Sequence, residues 1–218
     1  MQISLSFIKS LKLNNNREWF QANRGKYEEA RQEFLAFVEK ITNELGLIDP
    51  DLGTVDYRSG VFRINRDIRF SKDKSPYKTN FGVFIVKGGK KSGNAGYYFH
   101  MEPGNSFVGG GLYHPMPEAL KIIRNEIYEN ADEFTSIIRE KVFYDFFGDL
   151  WDGDMLKTPP KDFPKEFEHI DLLRNKSYIV GRNFDDKLLL GDSLTEETLK
   201  AFRLMIPLIR FINFGLAG

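Results

Sequence analysis

Residues 81–113, FGVFIVKGGKKSGNAGYYFHMEPGNSFVGGGLY, decide the architecture. Three runs rich in aromatic and β-branched residues, Phe81 to Val86, Tyr97 to Met101 and Phe107 to Tyr113, read as strands, and Gly-rich connections such as KGGKKSGNAG separate them. Those connections are too short to hold a helical crossover, so the strands join as an antiparallel meander rather than a doubly wound parallel sheet. A further strand is expected just upstream, at Val61 to Ile64, and another far downstream, at Ser177 to Gly181.

Helical patterns flank the strands. Upstream, Trp19, Tyr27, Phe34, Leu35, Val38, Ile41 and Leu45 recur at intervals near 3.6, with a break at Asn23 to Gly25, so two or three helices fill the first third. Asn15 and Glu18 have capping-box spacing. Downstream, Pro115 and Pro117 open a helix with Leu120, Ile123, Ile127 and Tyr128 on one face, and Phe134, Ile137, Ile138 and Val142 mark a second. Ser193 and Glu196 form another capping-box pattern before a terminal helix that Pro207 should kink or divide. The expected fold class is therefore α+β, a single domain over residues 1–218: N-terminal helices, a central mainly antiparallel sheet, and C-terminal helices packed on it.

Composition narrows the function classes. The 218 residues are 41% hydrophobic and 28% charged, and 20 Phe with 9 Tyr supply ample aromatic area for a core. Lys plus Arg equals Asp plus Glu at 31 each, so the global positive field used in nonspecific nucleic-acid binding is missing, and nucleic acid is not an expected partner. The absence of cysteine excludes disulfides, thiolate nucleophiles and Cys-based zinc sites, and fits a reducing compartment. With no signal-peptide pattern and no apolar run of spanning length, a cytoplasmic protein without membrane partners is expected.

The chemistry concentrates in NRDIRFSKDKSPYKTN, residues 65–80. Were Phe62 to Phe70 one strand, Phe62, Ile64, Ile68 and Phe70 would share a face with Arg66, which places a charge in an apolar row. Either Arg66 is buried against a carboxylate, or the chain turns at Asn65 to Asp67 and frees the guanidinium. From Arg63 to Lys78 three Arg and three Lys face Asp67 and Asp73, a local excess of about +4. Planar guanidinium groups suit carboxylate or phosphate, Pro76 stiffens the backbone and Tyr77 offers a hydroxyl.

This segment, RINRDIRFSKDKSPYKTNFG, resembles the signature of a family of bacterial conserved-hypothetical proteins, a domain of unknown function also found within longer fungal proteins. The matching positions are Arg63, Arg66, Asp67, Arg69, Phe70, Asp73, Lys74 and Tyr77. Weaker similarity in NNNREWFQANRGKYEEAR, GYYFHMEPGNSFVGGGLYHP and IDLLRNKSY extends the likeness over most of the chain. The resemblance implies neither activity nor cofactor.

The residues themselves therefore carry the functional reading. A pocket for a small anion, a phosphate ester or carboxylate, is expected from Arg63, Arg66, Asp67, Arg69, Asp73, Lys74 and Tyr77. The alternative is a noncatalytic interaction module whose basic loop docks an acidic protein segment or a nucleic-acid backbone, with the motif serving as a structural ion-pair network. Whether the protein is an enzyme, and with which cofactor, the sequence leaves open. Other candidates are weaker. Gly109 to Gly111 lack phosphate-loop spacing and read as close backbone packing. His100 and Glu102 share a strand face but have no second ligand pair, so no metal site is expected, while acid–base work by His100 is conceivable. Arg174, Lys176, Tyr178 and Arg182 read as an exposed basic strand face, and Trp19 with Phe20 as core.

Overall fold

A computed structural model describes every residue except 152 and 154. Ten α-helices occur among the described residues: α1 (Gln2–Leu13), α2 (Arg17–Ala22), α3 (Arg24–Ile48), α4 (Tyr57–Gly60), α5 (Pro117–Glu129), α6 (Ala131–Arg139), α7 (Lys141–Phe147), α8 (Ile170–Leu173), α9 (Asp186–Leu190) and α10 (Leu194–Ala217). Four strands, β1 (Phe81–Ile85), β2 (Gly96–Met101), β3 (Ser106–Leu112) and β4 (Tyr178–Phe184), form one sheet in the order β1-β2-β3-β4, every pair antiparallel. The class is thus α+β, as the meander and flanking periodicities predict. No helix among the described residues is long and apolar enough to cross a membrane.

Alternation gives the sheet two unlike faces. Val83 and Ile85, then Tyr97, Phe99 and Met101, then Val108, and finally Tyr178 and Val180 all point to the helices and are buried. Against them α3 places Phe34 and Phe37, with ring centroids 6.4 and 4.8 Å from Phe99, and α10 places Phe202, 5.1 Å from Tyr97. Gly110 permits this closeness, since a Cβ there would lie 2.7 Å from Met205 Sδ of α10. The Tyr97 hydroxyl donates to the buried Asp49 carboxylate at 2.6 Å, and Arg210 donates to the same carboxylate at 3.0 Å, so sheet, α3 and α10 are tied at one buried charge. The other sheet face, carrying Tyr98, His100 and Phe107, is not roofed by these helices and becomes the floor of the candidate site.

Several local expectations are corrected. Val61 to Ile64 is not a strand: Val61 bridges Val83, Phe62 N–H donates to Gly82 O, and the chain then swings to pair Asn65 with Tyr77. The cap of α2 is Asn16, whose side chain accepts from Trp19 N–H at 2.9 Å, because Asn15 is engaged elsewhere. Ser193 makes no side-chain cap bond; its helical φ and ψ do not aim the hydroxyl at the first-turn amides. Helix α10 runs through Pro207, which lies on its solvent side with Arg203, so the carbonyl that loses its donor faces water. Val142 is exposed because α6 ends at Arg139 and Glu140 caps a new helix, accepting from Phe143 N–H at 2.8 Å. Tyr178 and Arg182 do share a face, but it is the helix-covered one: Tyr178 is fully buried and Arg182 lies over the Phe146 ring.

Candidate functional site

The basic motif folds as a loose hairpin. Lys78 N–H donates to Ile64 O and Arg66 N–H to Pro76 O, which leaves residues 67–75 as a protruding loop with Phe70, 95% exposed, near its tip. Neither sequence alternative for Arg66 holds in full. Its guanidinium spans the loop, pairing with Asp73 and donating to Ser75 O at 3.1 Å and Ser71 Oγ at 3.4 Å. Asp73 is held down to about 2, first by the Ser75 hydroxyl and amide and then by Arg66. At the loop's start, Arg69 donates to Asp67 through Nε at 3.0 Å and Nη2 at 2.7 Å; that fork lowers the Asp67 pKa and raises that of Arg69. Lys74 closes the loop with a bond to Ile68 O at 3.0 Å.

Tyr77 leaves this group. Its ring stacks on Phe20 at 4.0 Å, its backbone N–H donates to Asn15 Oδ1 at 3.1 Å, and its carbonyl accepts from Asn15 Nδ2 at 2.9 Å. It lines a separate hollow of about 370 Å3 with Arg24, Tyr27 and Arg31. The structure thus brings Arg66 and Asp67 to one cleft, with Arg63 nearby, and distributes Arg69, Asp73, Lys74 and Tyr77 around the loop and the helical layer.

That cleft, about 450 Å3, is lined by Phe62, Arg66, Asp67, Lys78, Asn80, Tyr98 and His100. Lys78 and Lys90 hold their ammonium groups 5.1 and 4.9 Å from the Phe62 centroid, on a ring that itself meets Tyr98 edge-on. Among the described residues no carboxylate pairs with Lys78. Burial lowers its pKa, and the positive charges of Arg63 and Lys90 lower it further. The floor is a row along β2. Tyr98 Oη lies 3.0 Å from His100 Nδ1, and His100 Nε2 lies 3.4 Å from Glu102 Oε2. Phe107 stacks on the imidazole at 4.7 Å. Burial pushes the Tyr98 phenol up to about 12 and the His100 imidazole down, the latter opposed by Glu102. Burial would raise the Glu102 pKa, but donors from Asn105, Thr79 and His100 outweigh it and leave it lowered.

The sequence reading passes over Lys78, Asn80 and Tyr98 as site residues. Strand alternation offers a signal for Tyr98, two residues before His100 and four before Glu102; Lys78 acquires its setting only through pairing with Ile64. The expected close packing at the triple glycine is seen instead of a phosphate loop: a Cβ on Gly111 would lie 2.1 Å from Tyr178 O. Among the described residues no group of three or more His, Asp or Glu is arranged to hold a metal. Arg174 is drawn inward, donating to Leu156 O at 2.9 Å and pairing with Asp171 at the same distance.

Fold and cleft together define an α+β protein with a half-covered antiparallel sheet and a cation-lined hollow on the open face. The family model of the DUF2461 conserved hypothetical proteins matches residues 4–211, and the chain belongs to that family. No curated protein and no solved structure matches it.

Proposed function

We propose that the open-face cleft binds a small anion, a phosphate ester or a carboxylate, between Lys78 and Arg66 with Asn80 and Tyr98 as hydrogen-bonding neighbours. One observation carries the reading: Lys78 is half-buried, crowded by Arg63 and Lys90, and has no carboxylate partner among the described residues. A cation held in that way raises the free energy of the empty protein, and an entering anion relieves it. The Asp67–Arg69 fork supports the reading, because it neutralises the one carboxylate that, among the described residues, lines the cleft.

The rest of the motif favours the second, structural reading. The Arg66–Asp73 pair and the bonds of Lys74 and Ser75 staple the 67–75 loop to itself. A thermal-shift screen of inorganic phosphate, sugar phosphates and dicarboxylates tests the binding reading. Saturable stabilisation at one site per chain, lost in Lys78→Met, is the expected result; equal stabilisation of the variant would defeat it. Binding that instead required a polyanion and collapsed steeply with added salt would favour docking to a nucleic-acid backbone.

A further inference from the structure

The row Tyr98, His100, Glu102 has a chemical order that anion binding alone does not need. Among the described residues, Glu102 is the only carboxylate within pairing distance of His100, and it faces Nε2; it is held in place by Thr79 Oγ1 at 3.0 Å and Asn105 Nδ2 at 3.3 Å, with Lys12 at 3.8 Å. A carboxylate opposite Nε2 keeps the proton there, which leaves Nδ1 as the acceptor of the Tyr98 hydroxyl, 3.0 Å away. Asn80 Nδ2, 3.5 Å from the same nitrogen, also presents a donor. Gly82 on β1 leaves room for this contact, since a Cβ there would lie 2.7 Å from Tyr98 Oη. The phenol thus sits in the cleft wall with a base behind it, and Lys78, near enough to depress the imidazole, stands beside it.

From this order we infer that Tyr98, His100 and Glu102 form a proton relay that abstracts an acidic C–H proton from a small carbonyl compound carrying a carboxylate or phosphate, an inference that rests on the anion reading of the same cleft. As the substrate C–H bond breaks, its proton passes to the Tyr98 oxygen and the hydroxyl proton of Tyr98 passes to His100 Nδ1. The electron pair of that bond becomes the carbon–carbon double bond of an enolate, with its charge on the former carbonyl oxygen. The imidazolium so formed is neutralised by Glu102, and the enolate oxygen by Lys78, which among the described residues has no internal carboxylate to compete. Tyr98 is the catalytic residue of this step; His100 and Glu102 are positioning residues that act through it. Returning the proton from water regenerates every group, so in heavy water the substrate exchanges hydrogen for deuterium.

The test follows that exchange by proton NMR with pyruvate and dihydroxyacetone phosphate as probes, alongside melting curves of each protein with the same two compounds and with inorganic phosphate. Wild type should catalyse loss of the α-proton signal of at least one probe, and Tyr98→Phe and His100→Gln should slow it by about 100-fold or more, the range of general acid–base catalysis. Both variants should melt near the wild-type temperature, because the Phe62 and Phe107 packing survives; His100→Gln should keep the ligand-induced shift, and Tyr98→Phe, which loses one hydrogen bond to the anion, should keep a reduced but saturable one. Labelled imidazole nitrogens give an independent readout: at neutral pH His100 should show a protonated Nε2 and a bare Nδ1, and Tyr98→Phe should move the Nδ1 resonance. Saturable anion binding with no exchange on either probe overturns the relay and leaves the anion reading standing. Failure of every anion to bind, with no exchange, removes both. Exchange that persists in Tyr98→Phe, or a stable covalent adduct on Tyr98, overturns the assignment of its oxygen as the proton acceptor.

Discussion

Lys78→Met separates stability from binding in opposite directions. Methionine keeps most of the apolar stem that lies along Phe62 and removes only the ammonium. What is lost from the folded protein is a cation–π contact, worth about 0.5–1 kcal/mol at a half-exposed ring. What is relieved is the desolvation of the ammonium and its repulsion from Arg63 and Lys90, the causes of its lowered pKa. The melting temperature of the empty protein at low salt should therefore hold steady or rise. Anion affinity should fall, because a charge-assisted hydrogen bond is worth about 1.5–3 kcal/mol, or roughly 10- to 150-fold in Kd. The pH dependence adds a sign. A depressed lysine pKa means that, as pH climbs towards 10.5, the folded protein sheds the proton before the unfolded chain does, so wild type gains stability in that window and Lys78→Met lacks the gain. Calorimetric melting with and without phosphate, over pH 7 to 10.5, reads all three effects. A Lys78→Met protein clearly less stable than wild type, yet binding phosphate equally well, would show that the lysine is a structural cation and refute the reasoning.

Further outcomes follow from the same geometry. Asp67→Asn removes the one carboxylate that lines the cleft among the described residues and should tighten anion binding by a few-fold; titration calorimetry reads it. His100→Gln should flatten the acid limb of the stability curve just below pH 6.5: burial lowers the His100 pKa, so the unfolded chain binds the proton first and wild type loses stability as pH falls through that window. Asn15→Ala strands the Tyr77 N–H and carbonyl and should cost about 1–3 kcal/mol, seen as a lower denaturant midpoint with an unchanged slope.

Much of the architecture is local in origin and so could be read along the chain. The short glycine-rich links at 86–95 and 102–105 force antiparallel neighbours, Pro117 opens α5, and the apolar spacing of Phe34, Val38, Ile41 and Leu45 dictates the buried stripe of α3. The same locality explains the misses. Asn15 has the capping-box spacing to Glu18 that Asn16 lacks, and only contact with Tyr77, 62 positions away, draws Asn15 to the backbone of the motif and leaves the cap to Asn16. Tyr178 lies among basic residues in the sequence, yet the register of β4 on β3 turns it to the helices.

The candidate site divides along the same line. Charge density is additive along a segment, so the sequence by itself determined that residues 63–78 carry an unbalanced positive charge beside a meander of strands. Which cations find an acid is a question of distance in space, and only the tertiary structure decided it: Arg66 and Arg69 close on Asp73 and Asp67, while Lys78 is paired through its backbone to Ile64 and delivered, among the described residues without a carboxylate, to the open face where Tyr98 and His100 stand. Coulomb energy falls with separation and with solvent, so the same six cations are solvated, neutralised or left seeking a counter-charge according to where the fold puts them.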